Sequence, residues 1–148
     1  MILLKNQQKI IPVGERRIKK IAENILNYLG ISSHELSILF LDNRGITEIN
    51  KKYLKRNRPT NVISFSLTEG EFGNINPQVL GDVVISIEKA LEQAEINGKT
   101  PGEEISFLLI HGILHLLGYD HIRGKGERKR MRGKEKEVYK VVMGKKLT

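Results

Sequence analysis

Three of the four histidines in this chain lie within eleven residues, at a spacing typical of a metal site. His111 and His115 are four residues apart, so on a helix their rings lie on one face, one turn from each other. Gly118 then permits a left-handed conformation that ends the helix, and His121 can return as a third ligand. Neutral imidazole suits Zn²⁺, and three such ligands leave a fourth position for water. The spacing therefore predicts one divalent metal ion per chain, held by His111, His115 and His121, with zinc as the first choice and nickel, copper or iron also compatible with nitrogen ligands.

The residue that follows the first of these histidines limits the chemistry. The spacing His-x3-His-x2-Gly-x2-His resembles that of the metzincin zinc proteases, which place a glutamate, the general base, directly after the first histidine. This chain has Gly112 there, and a glycine inside a helix indicates close packing against a neighbouring element. Asp120 is the nearest carboxylate in sequence, and it is a candidate base, an acceptor for a ligand N–H or a turn residue. The residues assign no catalytic base beyond this candidate.

The basic residues are distributed unevenly along the chain. The net charge is +8, yet residues 1–120 hold 14 cationic and 14 acidic side chains, so the whole surplus lies in residues 121–148. No acidic residue lies between positions 49 and 68, a stretch that contains Lys51, Lys52, Lys55, Arg56 and Arg58. Basic surface beside a metal favours a polyanionic substrate, and the alternative is a solvated tail kept soluble by its charge. Lys55, Arg56 and Arg58 are the candidates for contact with such a substrate.

The composition is that of an ordinary soluble protein. The 148 residues suit a single domain, 1–148, and hydrophobic residues make up 39% of them. Because there is no cysteine, a transition-metal site must use histidine and carboxylate ligands. The opening Met1–Leu4 is too short for a signal peptide, and no apolar run approaches the length of a membrane span. We therefore expect a cytoplasmic protein that does not act at membranes.

The elements that must position the histidines combine helix and strand patterns. Apolar residues recur with the helical period at 12–30, 87–98 and about 126–143, and strand patterns cover 2–4, 36–41, 62–67 and 83–85. Thr47 is a candidate cap for a further short helix that runs to about Leu54. The order of these elements favours an α+β domain with a mixed sheet of about four strands.

The helix that carries the histidines has the clearest boundaries in the chain. Thr100, Pro101 and Glu103 combine an N-cap residue, a proline at the first helical position and the glutamate of a capping box. The helix should run from Pro101 to Leu117, and apolar residues occur nearly all round it. We therefore expect the sheet and the other helices to pack around this central, buried helix.

Residues 111–121 resemble the signature of the YbeY family of endoribonucleases, His-Gly-x-Leu-His-Leu-x-Gly-Tyr-Asp-His, at every fixed position. Residues 59–65 are similar to the family's Pro-Thr-Asp/Asn-Val-Leu-Ser-Phe, and residues 80–86 to its Leu-Gly-Asp-Ile-Val-Ile strand. The resemblance implies an α+β fold, a zinc ion on His111, His115 and His121, and an RNase specific for single strands. It also implies a part in maturing the 3′ end of the small-subunit (16S) rRNA and in ribosome quality control.

One position departs from the family pattern, and two other functions remain open. The family commonly has an arginine after the residue that matches Tyr53, whereas this chain has Leu54, followed by Lys55 and Arg56. A zincin-type metalloprotease is supported by the ligands and weakened by Gly112. A non-catalytic ribosome-assembly factor with a structural zinc is the other alternative. An open coordination position in a cleft would favour an enzyme, and a basic cleft wall would favour RNA over peptide.

Overall fold

The computed structural model describes residues 1–66, 78–120 and 124–147. In this part of the chain the strands are β1 (Ile2–Asn6), β2 (Glu35–Leu41), β3 (Val62–Ser66) and β4 (Val79–Ser86). The helices are α1 (Glu15–Tyr28), α2 (Asn43–Tyr53), α3 (Ile87–Asn97), α4 (Pro101–Leu116) and α5 (Lys125–Met143). Within these ranges no helix combines the length and the apolar character that a membrane span requires.

The described strands form one mixed sheet in the order β1-β2-β4-β3. β1 and β4 both run parallel to β2, and β3 is antiparallel to β4 at one edge of the sheet. The predicted α+β fold with a mixed sheet of about four strands is confirmed. β4 begins earlier than the apolar run alone predicts, because its ladder also includes Gly81 and Asp82, which pair with Leu36 and Ser37 of β2.

The two faces of the sheet are covered by different helices. Ile38 and Val83 point to the face on which α1 and α4 pack, where the main hydrophobic core lies. Ile63 and Val84 point to the other face and pack with Ile46 of α2. α4 also contacts α3 and α5, and ten of its sixteen residues are buried. The prediction of a central, buried helix that carries the histidine motif is confirmed.

Both ends of α4 are closed by the residues that the sequence indicates. The Thr100 hydroxyl accepts the Glu103 N–H at 3.2 Å, and the Glu103 carboxylate accepts the Thr100 N–H at 2.8 Å. At the other end Gly118 has a left-handed φ of +93°, and its N–H donates to the His115 carbonyl at 3.0 Å. This is the hydrogen-bond pattern of a Schellman cap, which ends the helix just after the second histidine.

The start of α2 was predicted wrongly. The helix begins at Asn43, and its cap is Asp42, whose carboxylate accepts the Gly45 N–H at 2.7 Å. Thr47 lies inside the helix, where its hydroxyl donates to the Asn43 carbonyl at 2.6 Å. Both residue types cap helices, so the choice depends on where the preceding strand β2 ends.

β3 and β4 approach each other closely at Gly81. Its φ of +143° is one that L side chains rarely adopt, and a Cβ at this position would overlap the carbonyl oxygen of Phe65. Only glycine fits such a contact between two backbones. The close approach holds β3 against the sheet.

Candidate metal centre

His111 and His115 lie on one face of α4 and point their rings at the same space. Their Nε2 atoms are 3.1 Å apart, and the ring planes meet at 72°. Two imidazole nitrogens bound to one tetrahedral zinc at ~2.0–2.1 Å would lie roughly 3.3 Å apart. The arrangement of these two side chains therefore fits the predicted metal, which each could ligate through Nε2.

Glu135 of α5 contacts the other side of the His111 ring. Its Oε2 lies 2.7 Å from Nδ1 of His111, and the residue is only 7% exposed. A carboxylate at this distance accepts the Nδ1 hydrogen, which leaves Nε2 as the nitrogen with the lone pair. Histidines that bind metals commonly have such a partner, so this contact supports a ligand role for His111.

The sequence interpretation did not identify Glu135. The contact joins two helices and residues 24 positions apart, so no local pattern marks it. The position of Glu135 on its helix is a signal that could have identified it from the sequence. Glu135 lies between Met131 and Val138 on the buried face of a helix whose exposed face is rich in cations. A buried acid on such a face indicates a fixed partner, because an unpaired buried charge is costly.

The surroundings of His115 favour its neutral form, which is the form that binds a metal. Burial lowers the pKa of His115 below its usual value, and the nearby His111 lowers that pKa further. The carboxylates of Asp120 and Glu135 and a backbone hydrogen bond with Tyr119 act in the opposite direction. The net effect disfavours the imidazolium, which could not bind a metal.

Asp120 lies in the turn that follows α4. Its φ of +59° is left-handed, a conformation that aspartate tolerates better than most residues, so its interpretation as a turn residue is supported. Its Oδ1 is buried and has no hydrogen-bond partner in the described part of the chain. This oxygen retains the capacity to accept a hydrogen bond, and the roles of Asp120 as base or as acceptor from a ligand stay predictions.

His121 lies outside the described residues, so its role as the third ligand stays a prediction. Within residues 1–66, 78–120 and 124–147, no group of three histidine, aspartate or glutamate side chains is arranged to hold a metal ion. The described residues therefore bring together two of the three candidate ligands, His111 and His115.

Gly112 faces the sheet. A Cβ at this position would lie 2.7 Å from Cγ1 of Val83 and 3.3 Å from Oγ of Ser64. The Ser64 hydroxyl also donates a 2.9 Å hydrogen bond to the Gly112 carbonyl. The predicted role of Gly112 in close packing is confirmed. A glutamate here would project first into β3 and β4, so the position cannot present a protease base without rearrangement of the sheet contact.

An open cleft of about 880 Å³ extends from the two histidines along β3. Arg56 and Arg58 line this cleft, together with the segment 59–66. The fold thus brings two of the three predicted substrate-contacting cations to the histidines. Lys55 is exposed but is not among the residues that line the cleft. No carboxylate occurs among the described lining residues, so the cleft wall is basic.

Asn50 shapes the loop that carries the two arginines, a role that the sequence did not indicate. Asn50 is 2% exposed, and its side-chain amide donates to the Arg58 carbonyl at 2.8 Å. Its own carbonyl accepts the N–H groups of Leu54 and Arg56 at 2.9 and 3.1 Å. Leu54, which stands where the family commonly has an arginine, lines the same cleft. Arg56 and Arg58 therefore contribute the positive charge beside that position.

A second cavity, of about 380 Å³, lies on the other face of the sheet, and Asp82 is one of its lining residues. Burial raises the pKa of this carboxyl, and a hydrogen bond with Ser37 opposes that shift. Neighbouring residues of a strand point to opposite faces, so Asp82 points away from the face on which Val83 meets α4. This cavity is therefore separate from the histidine site.

The chain is similar to proteins of known family and known structure. The family model described as Endoribonuclease YbeY matches residues 3–143. The endoribonuclease YbeY of Geobacter metallireducens is 46% identical over 142 residues, which are 95% of each chain. The corresponding protein of Geobacter sulfurreducens is 48% identical over 139 residues, 93% of each chain. A Thermotoga maritima protein solved in solution superposes with a TM-score of 0.69 at 25% identity, over 97% of this chain and 90% of that one. The chain therefore belongs to the YbeY family of endoribonucleases.

Proposed function

We propose that this protein is a zinc-dependent endoribonuclease that cuts single-stranded RNA. The observation that carries the proposal is the cleft that joins the histidines of α4 to Arg56 and Arg58. Relatives that are 46% and 48% identical are named as endoribonucleases. We further propose that the protein acts in the cytoplasm on the small ribosomal subunit, in the maturation of the 3′ end of 16S rRNA and in ribosome quality control.

His111, His115 and His121 would hold one zinc ion per chain. When bound, zinc supplies a positive charge that polarises a phosphoryl oxygen and lowers the pKa of a bound water. Glu135 orients the ring of His111 by accepting its Nδ1 hydrogen. Burial lowers the pKa of His115, which favours the neutral ring. Both effects prepare the histidines as ligands before any metal arrives.

The two arginines of the cleft would bind the phosphates on either side of the scissile bond. A guanidinium presents donors in a planar fork that matches two phosphate oxygens, and it is always charged. The attacking oxygen would come from water or from the 2′-OH of the RNA itself. With the 2′-OH as nucleophile, its oxygen would form the new bond to phosphorus as the bond to the 5′ oxygen breaks, and solvent water would take the hydroxyl proton and return one to the leaving oxygen. This cleavage does not depend on a carboxylate in the described cleft lining.

The structure also bears on the two alternative functions. A zincin-type protease needs a carboxylate beside its metal to carry a proton to the leaving amine, and Gly112 faces the sheet instead. A structural zinc site is closed by protein ligands, whereas His111 and His115 line an open cleft. Both observations favour RNA cleavage.

The strandedness of the substrate provides the direct test of the proposal. We expect the zinc-loaded protein to cut a single-stranded RNA and to leave the same sequence intact when it is annealed to its complement. Bases of a single strand can splay into a cleft, whereas a duplex keeps them paired and stacked. Products are resolved on a denaturing gel, with protein stripped of metal by a chelator as the control. Equal cutting of strand and duplex, or cutting that persists without metal, would contradict the proposal.

Replacing Arg56 and Arg58 together by glutamine should weaken RNA binding and its dependence on salt. Each phosphate contact to a single strand contributes about 0.7 to the slope of log K against log[salt], so the slope should fall by about 1.4. The matched control is Lys51→Gln with Lys52→Gln, which removes the same charge from exposed positions of α2 outside the cleft lining. Fluorescence anisotropy at several salt concentrations measures both slopes. The same decrease in both variants would mean that the cleft arginines have no specific role.

Glu135→Gln should lower the affinity for zinc while the fold is retained. Loss of such a carboxylate partner to a ligand histidine typically costs ten- to a hundredfold in metal affinity, so a decrease of about that size is expected. Competition with a zinc-binding dye measures the affinity. The matched control, Glu137→Gln, alters an exposed acid of the same helix that contacts Lys134 and Tyr28 instead. An unchanged zinc affinity in Glu135→Gln would remove the positioning role of this residue.

A further inference from the structure

One flank of α5 carries a straight row of exposed cations. The row consists of Lys125, Lys129, Arg132, Lys136 and Lys140, and we refer to it as the α5 stripe. All five are exposed, and their spacing of three or four residues places them within about 80° of one another around the helix axis. At 1.5 Å per residue the stripe is roughly 22 Å long, with a cation about every 5–6 Å.

The acids of α5 do not neutralise this row. Glu127 pairs with Arg130 at 3.6 Å, Glu137 pairs with Lys134 at 2.8 Å, and Glu135 contacts His111. Among the described residues, none of the five stripe cations forms an ion pair with a carboxylate. Like charges one turn apart destabilise a helix, so the binding of anions to the stripe would relieve this repulsion.

The stripe runs beside the histidine site. Arg132 and Lys136 are three residues before and one residue after Glu135, whose side chain reaches His111. On a helical projection the centre of the stripe lies about 160° from Lys134 and about 100° from Glu137, the two residues whose side chains contact Tyr28 of α1. The five stripe cations remain exposed, and the middle of the stripe lies within one turn of the contact to a cleft histidine.

We propose that the α5 stripe binds the sugar-phosphate backbone of the RNA outside the cleft, as a second site on the same strand. The inference rests on the proposed RNase function and extends it, because it assigns the flanking RNA to a defined surface. A row of single charges at regular intervals matches a strand that carries one phosphate per nucleotide.

An anionic membrane is the other polyanion that such a row could meet. Helices that lie on membranes place apolar side chains beside their cations, so that these enter the acyl boundary. The exposed apolar residue of α5 is Val141, 55% exposed, and it lies on the other side of the helix axis from the stripe. The stripe thus lacks an apolar border, which favours RNA.

The experiment compares two fourfold variants with equal net charge. The stripe variant carries Lys129→Gln, Arg132→Gln, Lys136→Gln and Lys140→Gln. The control variant carries Arg16→Gln, Arg17→Gln, Lys19→Gln and Lys20→Gln, which are exposed cations of α1. Binding to single-stranded RNAs of 5 and 20 nucleotides, by anisotropy over a salt series, is the readout. Circular dichroism confirms folding, and the pair Lys136→Gln with Lys140→Gln serves as a milder variant.

For the 20-nucleotide RNA, we expect the slope of log K against log[salt] to be smaller in magnitude by about 3 in the stripe variant, since each lost phosphate contact removes about 0.7. The ratio of its affinities for the long and the short RNA should fall at least tenfold, and the control variant should keep the wild-type ratio. The milder variant should lose about half as much slope.

Each possible failure has its own signature. An unchanged affinity ratio in the stripe variant, with wild-type RNA cleavage intact, would overturn the stripe inference and leave the proposed function standing. If the wild-type protein cut neither RNA, the proposed function itself would fail. Binding of the wild type to phosphatidylglycerol vesicles that is lost in the stripe variant, with RNA binding unchanged, would assign the stripe to a membrane and overturn the inference.

Discussion

His115→Ala is expected to abolish zinc binding and RNA cleavage together. The substitution removes one of two imidazoles whose Nε2 atoms converge to 3.1 Å, so the remaining ligands can no longer enclose the ion. A metal ion contributes several kcal/mol to stabilising charge in a phosphoryl transition state, and the rate should therefore fall roughly a thousandfold. Elemental analysis and cleavage of single-stranded RNA measure the two losses on the same preparation.

Two controls separate this effect from misfolding and from contamination. His34→Ala alters the histidine that lies outside the motif and should retain both zinc and cleavage. Casein should remain intact with the wild type and with either variant, because Gly112 supplies no proton carrier for a leaving amine. Cleavage that survives in His115→Ala would indicate a contaminating nuclease, and proteolysis by the wild type would mean that the chemistry is wrongly assigned.

Gly112→Ala should destabilise the protein, although alanine is the better helix former. The new methyl group would lie 2.7 Å from Cγ1 of Val83, a fully buried β-branched residue that cannot move aside within the sheet. Overpacking of this kind costs about 1–3 kcal/mol, against a gain of about 1 kcal/mol in helix propensity. The expected net loss, up to about 2 kcal/mol, corresponds to a decrease in Tm of up to roughly 8 °C for a domain of this size. Gly112→Glu should be worse, since it also directs a carboxylate at the sheet.

A helical glycine without neighbours provides the matched control. Gly133 lies within α5, and a Cβ there would meet nothing within 4 Å. Gly133→Ala should therefore stabilise the protein by up to about 1 kcal/mol. Val83→Ala removes the methyl groups that clash, so Gly112→Ala should cost less in that background by about 1 kcal/mol or more. A Gly112→Ala variant as stable as Gly133→Ala would show that packing against Val83 does not restrict this position.

The start and the end of α4 were determined by residues within this helix or directly beside it. Thr100, Pro101 and Glu103 start the helix and Gly118 ends it, and each acts through hydrogen bonds or backbone preferences within a few positions in sequence. The pairing of His111 with His115 follows from the same short-range periodicity, so both the helix and the convergence of two candidate ligands could be predicted. The mixed sheet followed from the order of the elements.

Interactions between residues distant in sequence could not be predicted in this way. Glu135 reaches His111 from another helix, and Asn50 fixes the loop that brings Arg56 and Arg58 to the cleft. The choice of Asp42 over Thr47 as the cap of α2 depended on where β2 ends, although both residues can cap a helix. The packing partners of Gly112 likewise lie on β3 and β4. Sequence patterns report the periodicity and the hydrogen bonds of a single element, whereas contacts between elements depend on how their faces meet when the core is buried, and only the tertiary structure decides that.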